Sequence, residues 1–257
     1  MSRFQSDNRW LIAGAISVLM CVLVVSYDAW GNWRTASRAS IGIAPDPVSI
    51  REAVVQVYGA RAYSWRGYFG IHTWIAVKPT NAESFTIYEV LGWRQRRQLP
   101  VLAIYDQQPD RRWFGNAPEI LADKRGDGVD ALIERIEQAV DNYPYARQYT
   151  LWPGPNSNTF TAWIARTVPE LELSLPATAI GKDYLGYRLF ATPPSGSGFQ
   201  FSLFGLLGFI ISNIEGVELN FLGLTFGINI DPPAVKLPIV GNIQLPSRHT
   251  IDMTEIS

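Results

Sequence analysis

Cysteine occurs once in this 257-residue chain, as Cys21, so no disulfide can close within it. The same scarcity leaves everything after residue 21 without a thiol, which excludes a cysteine nucleophile from any domain that follows. Histidine occurs twice, as His72 and His249, far apart and without metal-ligand spacing, so neither a zinc site nor any other cofactor is expected. Charge of one sign is lacking too. Lys and Arg number 22 against 23 Asp and Glu, for a formal net charge of -1, and nothing here suits nucleic acid or an acidic substrate. Arg94, Arg96 and Arg97 form a short basic run that a solvated turn explains. Hydrophobic residues make up 47% and charged residues 18%, so the chain can bury one sizeable core, and disorder is excluded.

Residues 10–27, WLIAGAISVLMCVLVVSY, are almost wholly apolar and carry no charge. A helical span needs about 20 mostly apolar residues, with a range of about 17–25, and this stretch reaches it. Arg3 and Arg9 precede it, and Arg34 and Arg38 follow, which gives a mild preference for a cytoplasmic N-terminus. The competing reading is a cleaved signal peptide, but no small-x-small cleavage site follows. The expected organisation is a cytoplasmic N-terminus at 1–9, a transmembrane helix at 10–27 and a linker at 28–50. A domain at 51–194 and a C-terminal region at 195–257 complete it.

Residues 54–62, 70–77 and 84–93 read as strands, rich in β-branched and aromatic side chains, with a shorter one at 99–105. Between 126 and 143, Val129, Leu132, Ile133, Ile136 and Val140 recur at spacings of three and four, which predicts an amphipathic helix that Pro144 stops. A second helix is expected from Asn156-Ser157-Asn158 to about Thr167, with one of those three polar residues at its cap. The fold class is therefore α+β, an antiparallel sheet with flanking helices.

Beyond Ser195-Gly196-Ser197-Gly198, two stretches resemble each other: SLFGLLGFI at 202–210 and NFLGLTFGI at 220–228. Val217, Leu219 and Phe221 alternate with Glu218 and Asn220, the strand period. These predict a C-terminal β-hairpin with the two stretches as its arms, rather than a second span. It is expected either to cover the core or to lie apolar side down on lipid.

The residues able to carry chemistry are His72 on a strand and Ser157 at a helix start. A helix N-terminus favours developing negative charge, and its N–H groups can hold an oxyanion. An imidazole on a nearby strand can take the serine's proton, and it needs an orienting partner. Glu89 supplies that partner on the third strand, or Tyr88 if the register has the opposite parity. Ser157 as a helix cap and His72 as a core residue are the plain alternatives.

Residues 72–79 (HTWIAVKP), 88–93 (YEVLGW), 113–116 (WFGN), 152–160 (WPGPNSNTF) and 180–186 (IGKDYLG) resemble the bacterial domain of unknown function 3750 family. The resemblance runs from about Val54 to Lys236 and implies no activity. The chain also resembles, more distantly, the circularly permuted papain-like enzymes, namely the lecithin retinol acyltransferase group and NlpC-type peptidases. Those place a strand histidine before an Asn-Cys-x-x-Phe helix start. His72 matches the histidine, and Ser157 stands where they carry cysteine. This implies a permuted papain-like arrangement for residues 51–194, with Ser157, His72 and Glu89 acting on an amide or ester bond of a lipid or peptide. The expected setting is the inner membrane, single-pass, with the domain periplasmic and a lipid or peptidoglycan-peptide substrate. A non-catalytic binding module on the same scaffold, and a structural subunit using the C-terminal region, are the other readings.

Overall fold

The computed structural model describes residues 33–246. The expected membrane segment, residues 10–27, lies outside them. Among the described residues no helix is long and apolar enough to cross a membrane.

Two antiparallel sheets form the domain. The first has the order β4-β3-β2-β1-β5, built from β1 (Val54–Arg61), β2 (Ile71–Lys78), β3 (Thr86–Val90), β4 (Leu102–Asp106) and β5 (Glu119–Arg125). Both faces of β1 and β2 are covered, which is why they read as near-continuous apolar runs. On one face Val55, Val57, Ile75 and Val77 pack with two helices, α3 (Val129–Asp141) and α4 (Ser157–Thr167). On the other, Val54, Tyr58, Trp74 and Ile87 pack under Trp113. Two single-turn helices, α1 (Arg66–Phe69) and α2 (Gly92–Gln95), lie in the connections. Helix α3 follows the predicted stripe: Val129, Leu132, Ile133, Ile136, Ala139 and Val140 are its buried residues.

The stretch read as a linker is held down over part of its length. Gly115 donates to the Ser37 carbonyl at 2.9 Å and Arg112 to that of Ala39 at 2.9 Å. The Asp110 carboxylate accepts from the N–H groups of Ile43 at 2.7 Å and Ala44 at 3.2 Å.

The C-terminal region is larger than the single expected hairpin. Strands β6 (Phe190–Ala191), β7 (Phe199–Leu203), β8 (Leu207–Ser212), β9 (Gly216–Phe221), β10 (Leu224–Ile230), β11 (Pro233–Leu237) and β12 (Gly241–Gln244) pair in chain order as one seven-stranded sheet. The internal repeat marks two equivalent turns rather than two arms. Phe204 and Gly205 have φ of 53 and 72°, and Leu222 and Gly223 have 52 and 77°. Two successive positive φ values make the tight turn whose twist matches a hairpin, and glycine at the second position meets no side-chain penalty there.

This sheet faces the rest of the domain with its polar side. Glu218, 2% exposed, accepts from Lys182 and, at 2.6 Å, from Lys236. Asp183 accepts from Gln200 at 2.7 Å and Asn220 at 2.8 Å, while Arg166 of α4 donates to Gln200 at 2.8 Å. Lys182, Asp183, Glu218 and Lys236 are ion-paired, and Arg166 is satisfied by neutral oxygens.

Ile136 is fully buried and Glu134 exposed on the same helix. Ile136→Ala should cost about 2–5 kcal/mol in chemical denaturation, and Glu134→Ala should be nearly neutral. Equal effects would mean that α3 packs by another face.

Candidate functional site

His72 and Thr73 are neighbours on β2 and so point to opposite faces. Thr73 faces α4: its hydroxyl lies 3.3 Å from the Ser157 carbonyl, 3.0 Å from Asn158 Oδ1 and 2.8 Å from the Thr161 hydroxyl. His72 faces the aromatic side. β2 pairs with β3 only over Ile75–Val77; further along, Ile71 N–H donates to the Thr178 carbonyl at 3.0 Å and the Ile71 carbonyl accepts from Asn158 at 3.0 Å.

The register of β3 puts Glu89, not Tyr88, beside His72. Tyr88 turns to the helical face and donates to Glu137 of α3 at 3.1 Å. His72 Nε2 lies 2.9 Å from Glu89 Oε2. The other carboxylate oxygen, Oε1, accepts from Arg111 Nη2 at 2.6 Å and from the Tyr105 hydroxyl, which itself accepts from Arg111 at 2.6 Å. Trp113 stacks on the imidazole with ring centres 3.6 Å apart and planes at 11°. The Arg111 guanidinium lies 5.5 Å from the Trp113 ring centre and 5.7 Å from that of Trp74.

Burial alone would raise the Glu89 pKa, but its bonds to His72, Arg111 and Tyr105 bring it below the ordinary carboxylate range. Burial lowers that of His72, and the carboxylate beside it offsets this only in part. Burial, then the Glu89 charge, raises the Tyr105 hydroxyl, which stays a donor. The resulting state is a charged Glu89 and a neutral imidazole. A carboxylate accepts only, so Nε2 carries the proton and Nδ1 the lone pair. Nδ1 has no hydrogen-bond partner among the described residues, and the ring as a whole is buried.

Helix α4 opens with Asn156 as its cap. The Asn156 Oδ1 accepts from the N–H groups of Asn158 at 3.0 Å and Thr159 at 3.1 Å, and the Thr159 hydroxyl answers Asn156 N–H at 3.1 Å. The same residues grip the loop at 178–183. Asn156 and Asn158 donate to the Ile180 carbonyl at 3.0 and 2.8 Å, and Thr159 to that of Gly181 at 2.8 Å. A side chain at Gly181, φ 98°, would collide with Asn156. Ser157 is the remaining polar residue of the segment. Its hydroxyl makes no hydrogen bond with the described residues and is not sealed from solvent, and its N–H is likewise without a described partner.

The structure therefore joins two of the three predicted site residues, His72 and Glu89. It gives no hydrogen bond between Ser157 and His72: the serine stands on the helical side of β2 and the imidazole points to the other. Sequence reasoning missed Arg111, Tyr105 and Trp113. The Trp113-Phe-Gly-Asn116 segment was visible as a family likeness, but nothing in it announced a partner for His72. Among the described residues no cluster of His, Cys, Asp or Glu could hold a metal ion.

The lowered His72 pKa has a definite sign. Its contribution to stability is complete above the ordinary value of 6.5 and declines as the pH falls from there towards the folded-state value. An NMR titration of the ring, assigned against His249, should give a midpoint below 6.5. Glu89→Gln should move that midpoint further down, because it removes the charge that favours imidazolium. A midpoint at or above 6.5 would mean that the ring is far more solvated than its packing implies.

No curated protein and no solved structure matches the chain. The model of one family, described as protein of unknown function (DUF3750), matches residues 52–184, just over half of the chain. That span holds every residue of the site and stops before β6, short of the reach to Lys236 that the sequence suggested. The chain belongs to the DUF3750 family.

Proposed function

We propose that the domain is a membrane-anchored hydrolase or acyltransferase acting on an amide or ester bond, with Ser157 as nucleophile, His72 as base and Glu89 orienting the base. The observation that supports it most is the division of labour among the polar side chains. Asn156, Asn158 and Thr159 are all committed to the cap and the neighbouring loop, while the Ser157 hydroxyl and N–H make no described bond. On the neighbouring strand, His72 is fixed through Nε2 and offers its Nδ1 lone pair.

In this mechanism a substrate carbonyl enters beside the start of α4. Nδ1 takes the proton of the Ser157 hydroxyl as the oxygen attacks the carbonyl carbon, which requires the two side chains, set on opposite sides of β2, to be brought together when substrate binds. Glu89 balances the imidazolium, and the Ser157 N–H at the helix start stabilises the oxyanion. Collapse breaks the bond to the leaving alcohol or amine, which takes the proton from His72 and leaves an acyl-Ser157. Water then gives hydrolysis, and an acceptor hydroxyl or amine gives transfer. Chain order fits a permuted papain-like arrangement in which serine replaces the usual cysteine. With residues 10–27 as an inner-membrane anchor and the domain periplasmic, the substrate is a membrane lipid or a peptidoglycan peptide.

A second reading, a binding module without chemistry, draws on two observations: no hydrogen bond joins Ser157 to His72, and Trp113 lies flush on the imidazole.

A fluorophosphonate probe should label Ser157 in the full chain, and neither Ser157→Ala nor His72→Ala should be labelled. Turnover of a p-nitrophenyl ester should fall on the order of 10⁴-fold or more in either variant, and no further in the double one. Ser157→Cys should retain turnover and become sensitive to thiol alkylation. Equal labelling of wild type and Ser157→Ala, both folded by circular dichroism, would remove the nucleophile and leave the binding module.

A further inference from the structure

The seven-stranded sheet is inside out. Its inner row Gln200, Ile210, Glu218, Gly227, Lys236 and Asn242 is mostly polar, and three of these are in the buried network described above. On the outer face the row beside it is Phe199, Ile211, Val217, Ile228, Val235 and Ile243, register partners across six strands. The next outer row is Phe190, Phe201, Phe209, Leu219 and Phe226. A third holds Leu203, Leu207, Phe221 and Leu224. No charged residue stands in any of the three. Ile211 is 55% exposed, Leu219 59% and Ile228 55%, so the face is open.

Strands of this length at about 3.3 Å per residue, with neighbours about 4.8 Å apart, make a face of roughly 20 by 29 Å. Proteins that stay monomeric in water rarely leave contiguous apolar patches of more than a few hundred Å² open. Something covers this one.

We propose that it is a lipid bilayer: the outer face of the sheet lies on the membrane surface and seats the domain there. Several observations converge on lipid. The three rows offer no hydrogen-bonding side chain, whereas protein interfaces carry about one hydrogen bond per 100–200 Å². Apolar-out, polar-in alternation is the pattern of strands that meet lipid. These strands, of 4 to 7 residues from β7 to β12, are too short to span, which takes about 9–11, so the sheet lies along one leaflet. The rim is aromatic: Tyr187, 95% exposed, meets Phe204, and Trp152 donates to the Leu222 carbonyl at 2.9 Å.

The chain outside the described residues adds a further observation. Residues 10–27 are uncharged, and the chain is pinned to the domain again at Ser37. The ten intervening steps reach at most about 36 Å, so a domain tethered there cannot leave the bilayer surface. This part of the argument rests on the anchor reading given under the proposed function.

The test uses the full chain with Cys21→Ser and a single new cysteine, Leu219→Cys or Phe226→Cys. Each carries an NBD fluorophore and is reconstituted in phosphatidylethanolamine–phosphatidylglycerol vesicles with brominated acyl chains. Glu134→Cys on the exposed face of α3 is the reference. NBD at 219 and 226 should be blue-shifted and quenched severalfold more than at 134. Equal quenching at all three positions overturns the proposal. So does a disulfide joining Leu219→Cys in two copies, which would make a second copy the occupant. In a second, unlabelled chain that keeps Cys21, a disulfide from Leu219→Cys to Cys21 within one chain overturns it as well, since the N-terminal segment would then cover the face. Alkaline carbonate extraction separates the two readings. Retention with unquenched probes keeps the anchor and sinks the sheet's role; release with quenched probes does the reverse.

Discussion

A buried carboxylate is the point on which the first sheet turns. Glu89 is 1% exposed, and an ionised carboxylate taken out of water costs several kcal/mol unless each oxygen is paired. Here Oε2 meets the imidazole of His72, and Oε1 meets Arg111 and Tyr105. Meeting that requirement fixes much else. It holds β3 in the register that sends Glu89 to one face and Tyr88 to the other. It draws the segment after Asp110 over the aromatic side of the sheet, where Trp113 closes on the imidazole. Through Asp110 the same segment holds residues 37–44, so the approach to the domain is tied to the site.

The first turn of α4 is organised in a complementary way. Its amide and threonine side chains hold the loop at 178–183, and the far side of that loop, Lys182 and Asp183, is held by the inner row of the second sheet. A chain of polar contacts thus runs from β2 through α4 to β9. The Ser157 hydroxyl and N–H stand in the middle of it without a described partner, while its carbonyl accepts from Thr73 and Thr161. That free hydroxyl is the one the proposed mechanism uses as its nucleophile.

Much of this was legible in the sequence, for physical reasons that can be named. Period alone placed β1, β2 and α3, because a strand buried on both faces and a helix with one wet face leave different patterns. Parity placed Glu89 beside His72, with Tyr88 open as the other choice, and the ladder with β2 decides between them. Arg111 and Tyr105 were hidden because they reach Glu89 from a loop and from the far edge of β3, and no local spacing encodes that meeting. The C-terminal repeat was seen and misread. Phe204 and Leu222 adopt positive φ where glycine or asparagine is usual, so two turns passed for two strands. The sheet's inverted polarity compounded this, since the alternation tells that one face is apolar and not which face is inside.

The functional account depends on His72 presenting a lone pair at Nδ1, and that depends on Glu89 holding the proton at Nε2. Long-range ¹H–¹⁵N correlation of the His72 ring at neutral pH reads this directly. The account predicts a protonated Nε2 and an unprotonated Nδ1, a single neutral tautomer, and a mixture of the two tautomers once Glu89 is replaced by Ala. A ring protonated at Nδ1, or one charged at both nitrogens at neutral pH, would contradict it.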